Sequence, residues 1–193
     1  TIRLRNPTGG AILGTPSLAA LNVEDDDPPD FFTESFDYHD NDVRNQTLTF
    51  VPDGSRSFYA VCRTPAYSFP ADPSGGRRLA LADDASVTVP LEGGKEIPFY
   101  GVRYGMFSIG SNGYVSFSSG DSSYQESLGR HFSQPRISAL FDDLNPFHGG
   151  TISWKQLTDR AVVTFQGVAK NYSGKRNSFQ IEMFFDGIVR ITH

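Results

Sequence analysis

The sequence predicts an all-β protein, an antiparallel β-sandwich with little or no helix, on three observations. Short apolar or alternating runs recur along the chain with no capped helical pattern of real length between them. Asn112-Gly113 and Asp186-Gly187 each separate two such runs, and residue pairs of this type accept the positive φ that hairpin turns demand. The composition agrees, because sixteen Phe and eight Tyr beside nineteen Gly and twelve Pro favour strands broken by tight turns.

In chain order, Thr1 to Arg5 alternates, Asn6 to Gly10 turns, and Leu18 to Val23 extends before the acidic run Glu24 to Asp27. Two strands cannot bury a core by themselves. Pro28-Pro29 then breaks the chain, which predicts one unit over 1–27 and a second over 28–193. Gln46 to Val51 alternates as a strand, Pro52-Asp53-Gly54-Ser55 turns, and Phe58 to Cys62 forms the next strand. The apolar Ala60-Val61 before Cys62 places this lone thiol at a buried strand position, as an inert core residue. Thr64 to Arg78 reads as loop. Short strands follow at Leu79 to Leu81, Ser86 to Val89, Ile97 to Tyr100, Met106 to Ile109 and Tyr114 to Phe117. One or two helical turns fit between Tyr124 and His131. Strands resume at Ile137 to Phe141, Thr151 to Lys155, Ala161 to Phe165, Ser178 to Phe185 and Ile188 to Ile191.

Charge and cysteine content exclude several classes. A net charge of −5 with scattered basic residues supplies no clustered surface for nucleic acid. One Cys allows no internal disulfide and no cysteine metal site. No apolar run is long enough to insert in a membrane as a helix. Thr1, in place of a starting Met, reads as an internal position of a longer precursor.

Two stretches carry resemblances. Arg3 to Ala11, Leu13-Gly14 and the closing Val23-Glu24-Asp25-Asp26-Asp27 resemble the last two strands of a Calx-beta repeat, an extracellular or regulatory β-sandwich in which terminal aspartates bind calcium in some members. Those strands belong to a truncated neighbour, or dock on the following domain or on another protomer, where an exposed strand edge invites strand addition. The second resemblance covers about 97–193 and extends back to 30. Phe99-Tyr100-Gly101, Ile109 to Phe117, Pro135 to Leu144, Ala161 to Phe165, Asn177 to Ile181 and Asp186 to Arg190 are similar in order to the nidogen-like extracellular domain and related modules of large secreted bacterial proteins. This resemblance implies a binding or spacing unit with no catalytic set, located outside the cell or at its surface. It also implies a further strand beyond His193, with the fold completed by residues that follow.

Acidic clusters are the most suggestive chemistry. Calcium takes six to eight oxygens, which closely spaced Asp and Asn on loops supply. The metal-ligand candidates are Asp142 and Asp143 with Asn145, then Asp40, Asn41 and Asp42, then Asp25, Asp26 and Asp27; Asp83-Asp84 is a further acidic pair. None has EF-hand spacing, and Asp and Asn also favour turns because they bond their own backbone. Adjacent Asp142 and Asp143 at a strand end point to opposite faces, so they are not the facing carboxyls of a glycosidase. The four His show no metal spacing, and a Gly-x-Ser-x-Gly nucleophile turn is absent.

Aromatic rings offer a second route, because an amphipathic ring stacks on sugars. Tyr124, Tyr172 and Trp154 are the ligand-binding candidates, and Tyr100, Tyr104 and Tyr114 read more readily as core. Asn45 and Asn171 head N-glycosylation triplets, which carry no meaning in a bacterial source. The expectation is therefore a non-catalytic extracellular module in adhesion or spacing, stabilised by calcium, with other domains of its precursor as partners. The alternatives are a glycan-binding accessory domain of a secreted hydrolase and a fibre subunit that exchanges strands with neighbouring protomers.

Overall fold

A computed structural model of the protein describes residues 2–3, 8–10, 12, 15, 18–19, 33–36, 41–54 and 59–193. The chain divides into two compact units, Thr1–Phe32 and Thr33–His193. In the first, β1 (Ile2–Arg3) pairs antiparallel with β2 (Leu18–Ala19). Asp25, Asp26 and Asp27 lie outside the described residues, as does Asp40.

The second unit is an all-β, antiparallel sandwich. Its strands are β3 (Gln46–Pro52), β4 (Tyr59–Pro65), β5 (Arg77–Leu79), β6 (Ser86–Pro90), β7 (Ile97–Phe99), β8 (Val102–Tyr104), β9 (Met106–Gly110), β10 (Tyr114–Ser116), β11 (Arg136–Ser138), β12 (Leu144–Asn145), β13 (Thr151–Gln156), β14 (Arg160–Lys170), β15 (Arg176–Phe184) and β16 (Val189–Thr192). The larger sheet runs β4-β3-β16-β15-β14-β13-β5, with β12 pairing the far end of β14. The smaller runs β11-β10-β9-β6, and β7 and β8 form a separate ribbon. One turn of helix, α1 (Leu128–His131), falls inside the segment the sequence left open for it; the Ser127 side chain caps its first turn.

The inner faces of the two sheets meet in one core. Phe107, Ile109 and Val115 of the smaller sheet join Ile152, Val163, Phe165, Ile181, Met183 and Ile191 of the larger. Trp154 is part of this core at 8% exposed, its ring edge-on to Phe107 at 5.9 Å, so it offers no face to a sugar, contrary to the sequence expectation.

Two strands are buried on both sides. Ala161 to Phe165 and Phe179 to Met183 are buried at every position, although Thr164, Gln180 and Glu182 alternate as a wetted face would. The reason is a cover. The Gln180 amide accepts from the Ala71 N–H (3.0 Å) and donates to the Ala71 carbonyl (2.8 Å) and to Thr164 Oγ1 (2.9 Å), clipping the loop after β4 onto this face. Beside it Glu182, also buried, accepts from Arg160 Nε (2.7 Å) and Arg190 (3.3 Å), and both guanidinium groups lie over the Phe184 ring.

Three further expectations change. Cys62 is exposed, because β4 is the outer strand of the larger sheet and lies past the reach of the core; apolar neighbours do not distinguish an edge from a centre. Strand pairing stops at Ser138, since residues 139–143 leave the sheet to reach the β9–β10 turn. That turn also differs in type. Gly110 pairs with Tyr114, leaving a three-residue loop in which only Gly113 has positive φ (+85°). Met183 pairs with Val189 around Phe184 to Ile188, where Gly187 (φ +97°) takes the same role.

Candidate functional site

The β9–β10 turn is a buried hub. Asn112 is fully buried, because its side chain satisfies three separate segments. Its amide nitrogen donates to Asp84 Oδ1 (2.9 Å) and the Ser123 carbonyl (3.1 Å), and its Oδ1 accepts from the Leu144 N–H (2.9 Å). The Asn112 carbonyl accepts from the Asp142 N–H at 3.3 Å, and the Gly113 carbonyl from Ala139 and Leu140. Ser111 and Ala85 bond each other through Ser111 N–H to Ala85 O (2.8 Å) and Ala85 N–H to Ser111 Oγ (3.1 Å). The turns at 83–85 and 139–144 are thus tied to the same hairpin tip.

This convergence brings together Asp83, Asp84 and Asp143, which offer carboxylate oxygens all within 4.8 Å of one another. Asn171, at the β14–β15 turn, braces them: its N–H donates to the Asp143 carbonyl (2.8 Å), and its amide nitrogen to Asp143 Oδ1 (3.3 Å) and Asp83 Oδ2 (3.4 Å). Burial first, then repulsion from Asp84, Asp83 and Asp142, holds the Asp143 carboxyl above its ordinary range, against the Asn171 bond that pulls it down. Among the described residues no Lys, Arg or His pairs with these three carboxylates.

The other candidates are placed apart from this group. Asp142, whose charge still acts on Asp143, accepts from Lys170 Nζ at 2.7 Å and from the Asp143 N–H. Asn145 is buried and caps the 3-10 turn Pro146–His148 through Phe147 N–H (3.0 Å). Asn41 accepts from Val43 N–H (3.3 Å), and Asp42 pairs with Arg63 (2.7 Å), so both have local structural partners. Tyr172 is 97% exposed with φ +53°, directly after Asn171. Tyr124 is 43% exposed, whereas Tyr100 and Tyr104 are packed against the core and Tyr114 is buried. The sequence displayed Asp83-Asp84 and Asp143 as separate acidic groups, and it gave no sign of Asn112 or Asn171 as the amides that orient them.

A second polar group holds the segment between β10 and β11. Arg136 is buried between the Tyr114 and Phe141 rings (4.4 and 4.9 Å) and pairs with Asp121. Burial works to raise the Asp121 carboxyl, but hydrogen bonds from Ser123 and the Arg136 charge prevail and hold it below the ordinary range. The Tyr114 hydroxyl donates to the Ser123 carbonyl at 3.0 Å, and burial raises its pKa.

The family model described as NIDO related matches residues 59–190. No curated protein and no solved structure matches the chain. The matched stretch runs from the start of β4 into β16 and so contains Asp83, Asp84, Asp143, Asn112 and Asn171.

Proposed function

The chain belongs to the NIDO-related family, and from that membership we propose a non-catalytic extracellular module of a large secreted or cell-surface protein, acting in adhesion or as a spacer between other domains of its precursor. The meeting of Asp83, Asp84 and Asp143 supports the view that calcium stiffens it. Three carboxylates from two segments, braced by amides and without a cationic partner among the described residues, repel one another. A hard cation with water completing its shell would relieve that repulsion and lock the loops together. Asp143 replaces the adjacent Asp142-Asp143 pair as the centre of this reading, since Asp142 is paired with Lys170.

Calorimetry of the metal-free protein with and without millimolar calcium tests it. The melting temperature should rise by about 5–10 °C with calcium near a hundredfold above its dissociation constant. Asp143→Asn should remove that rise while leaving the metal-free melting temperature unchanged or higher. Superimposable melts in calcium and in excess EDTA would remove calcium from the account.

The exposure of Tyr172 supports a second reading, a glycan-binding accessory domain of a secreted hydrolase. Glycan-array binding that Tyr172→Ala abolishes would favour it, and an array without hits would count against it.

A further inference from the structure

Among the described residues, the outer edge of β4 has no strand partner. Thr47 lies opposite Thr64 and Thr49 opposite Cys62, and this register continues to Asn45 and Ala66, where the Ala66 N–H donates to the Asn45 carbonyl at 2.9 Å. Hydrogen-bonded and non-bonded pairs alternate in an antiparallel ladder, so Thr64, Cys62 and Ala60 turn their backbone groups towards β3. The other side of β3 gives the same phase. His193 N–H donates to the Gln46 carbonyl at 2.9 Å, so Gln46, Leu48 and Phe50 face β16, while Thr47, Thr49 and Val51 face β4. Tyr59, Val61 and Arg63 therefore aim N–H and C=O outward, and Pro65 its carbonyl alone. Among the described residues nothing bonds these groups.

The edge carries little of what keeps strands from pairing. Its seven residues pair with β3 without a bulge, side chains from Ala60 to Pro65 are exposed, and its one charge, Arg63, is paired with Asp42. We propose that this edge pairs with the same edge of a second copy of the chain, antiparallel about a two-fold axis through Cys62, so that the two large sheets become one. The strand is complementary to itself in that register. Val61 meets Arg63 of the second copy, Ala60 meets Thr64 and Tyr59 meets Pro65, so each outward N–H of Tyr59, Val61 and Arg63 finds a carbonyl. An axis through Arg63 would set guanidinium against guanidinium, and one through Val61 would set Thr64 and Pro65 opposite positions 58 and 57, which lie outside the described residues. The two Cys62 residues become a non-hydrogen-bonded pair, whose Cα separation of about 4.5 Å lies within the roughly 4.4–6.8 Å that a disulfide spans. The pairing is independent of the calcium reading, because β4 contributes nothing to the acidic group.

Sedimentation velocity of the full reduced chain, from micromolar to millimolar, should show monomer passing to dimer. Diamide, which takes up the two electrons and two protons released when two thiols join, should then trap a Cys62–Cys62 dimer on a non-reducing gel. Val61→Pro removes an outward N–H and leaves the β3 ladder whole. It should slow trapping by about tenfold or more, because the two-fold axis loses a bond on each side, while Cys62→Ser should still dimerise. A chain that stays monomeric at every concentration overturns the proposal. A dimer that diamide fails to trap overturns the register, and one that Val61→Pro leaves unweakened at an unchanged melting temperature overturns the edge.

Discussion

At Gly113 a single methyl group would disturb the whole acidic end of the sandwich. A Cβ there would run into the Leu140 carbonyl oxygen, and the backbone sits at φ +85°, where side chains are strained. Gly113→Ala should cost about 2–4 kcal/mol, since strain and a clash with backbone add; the urea midpoint measures it. Asn112 beside it explains the turn. With its side chain bonded to Asp84, Ser123 and Leu144, it keeps ordinary negative φ and leaves the left-handed position to Gly113 alone. Asn-Gly announced a hairpin in the sequence, but the turn type depended on partners 28 and 32 positions distant.

Among the elements, β15 shows what the sequence displayed and what it concealed. Its apolar alternation announced a strand and Asp186-Gly187 announced the return through β16, as found. Gln180 and Glu182 alternate with those apolar residues, and nothing local reveals that the Ala71 loop or two arginines lie over them. The loop is held by a contact 109 positions away in sequence, and period-two patterning reports one neighbour only. Gln180→Ala leaves the Ala71 N–H and carbonyl without their partner. It should therefore lower stability by about 2–4 kcal/mol in chemical unfolding, with hydrogen exchange rising first in residues 66–76. Trp154 and Cys62 exchanged their expected places for the same reason, as the strand order decides which positions are central and which lie at an edge.

Across the sandwich unit, the acidic group was legible as composition and hidden as a site, since 59 and 60 positions separate Asp143 from Asp84 and Asp83 and only the fold closes that distance. Two partly buried histidines set the response of the sandwich to acid. Burial lowers the pKa of His131 to about 4, assisted by the Arg136 charge, and burial alone lowers that of His193 to about 4. Unfolded, each binds a proton near the ordinary value of about 6.5, so the unfolded state takes up more protons between about pH 6.5 and pH 4 and stability falls as pH drops through that window. His131→Gln should flatten the slope of unfolding free energy against pH there. Asp143 works in the opposite sense: its raised pKa adds stability below the unfolded value and withdraws it as pH rises through the folded one.

The pairing of β3 with β16 has a consequence in time. Thr47 and Thr192 share a hydrogen bond across 145 positions of chain, so the β3–β4 hairpin is among the first parts of the sandwich to leave the ribosome and waits for one of the last to complete its sheet. At about 5–20 residues per second the wait is roughly 7–30 s. Through that interval both sides of the hairpin are open to any passing strand, which makes early synthesis the period when a chaperone matters most.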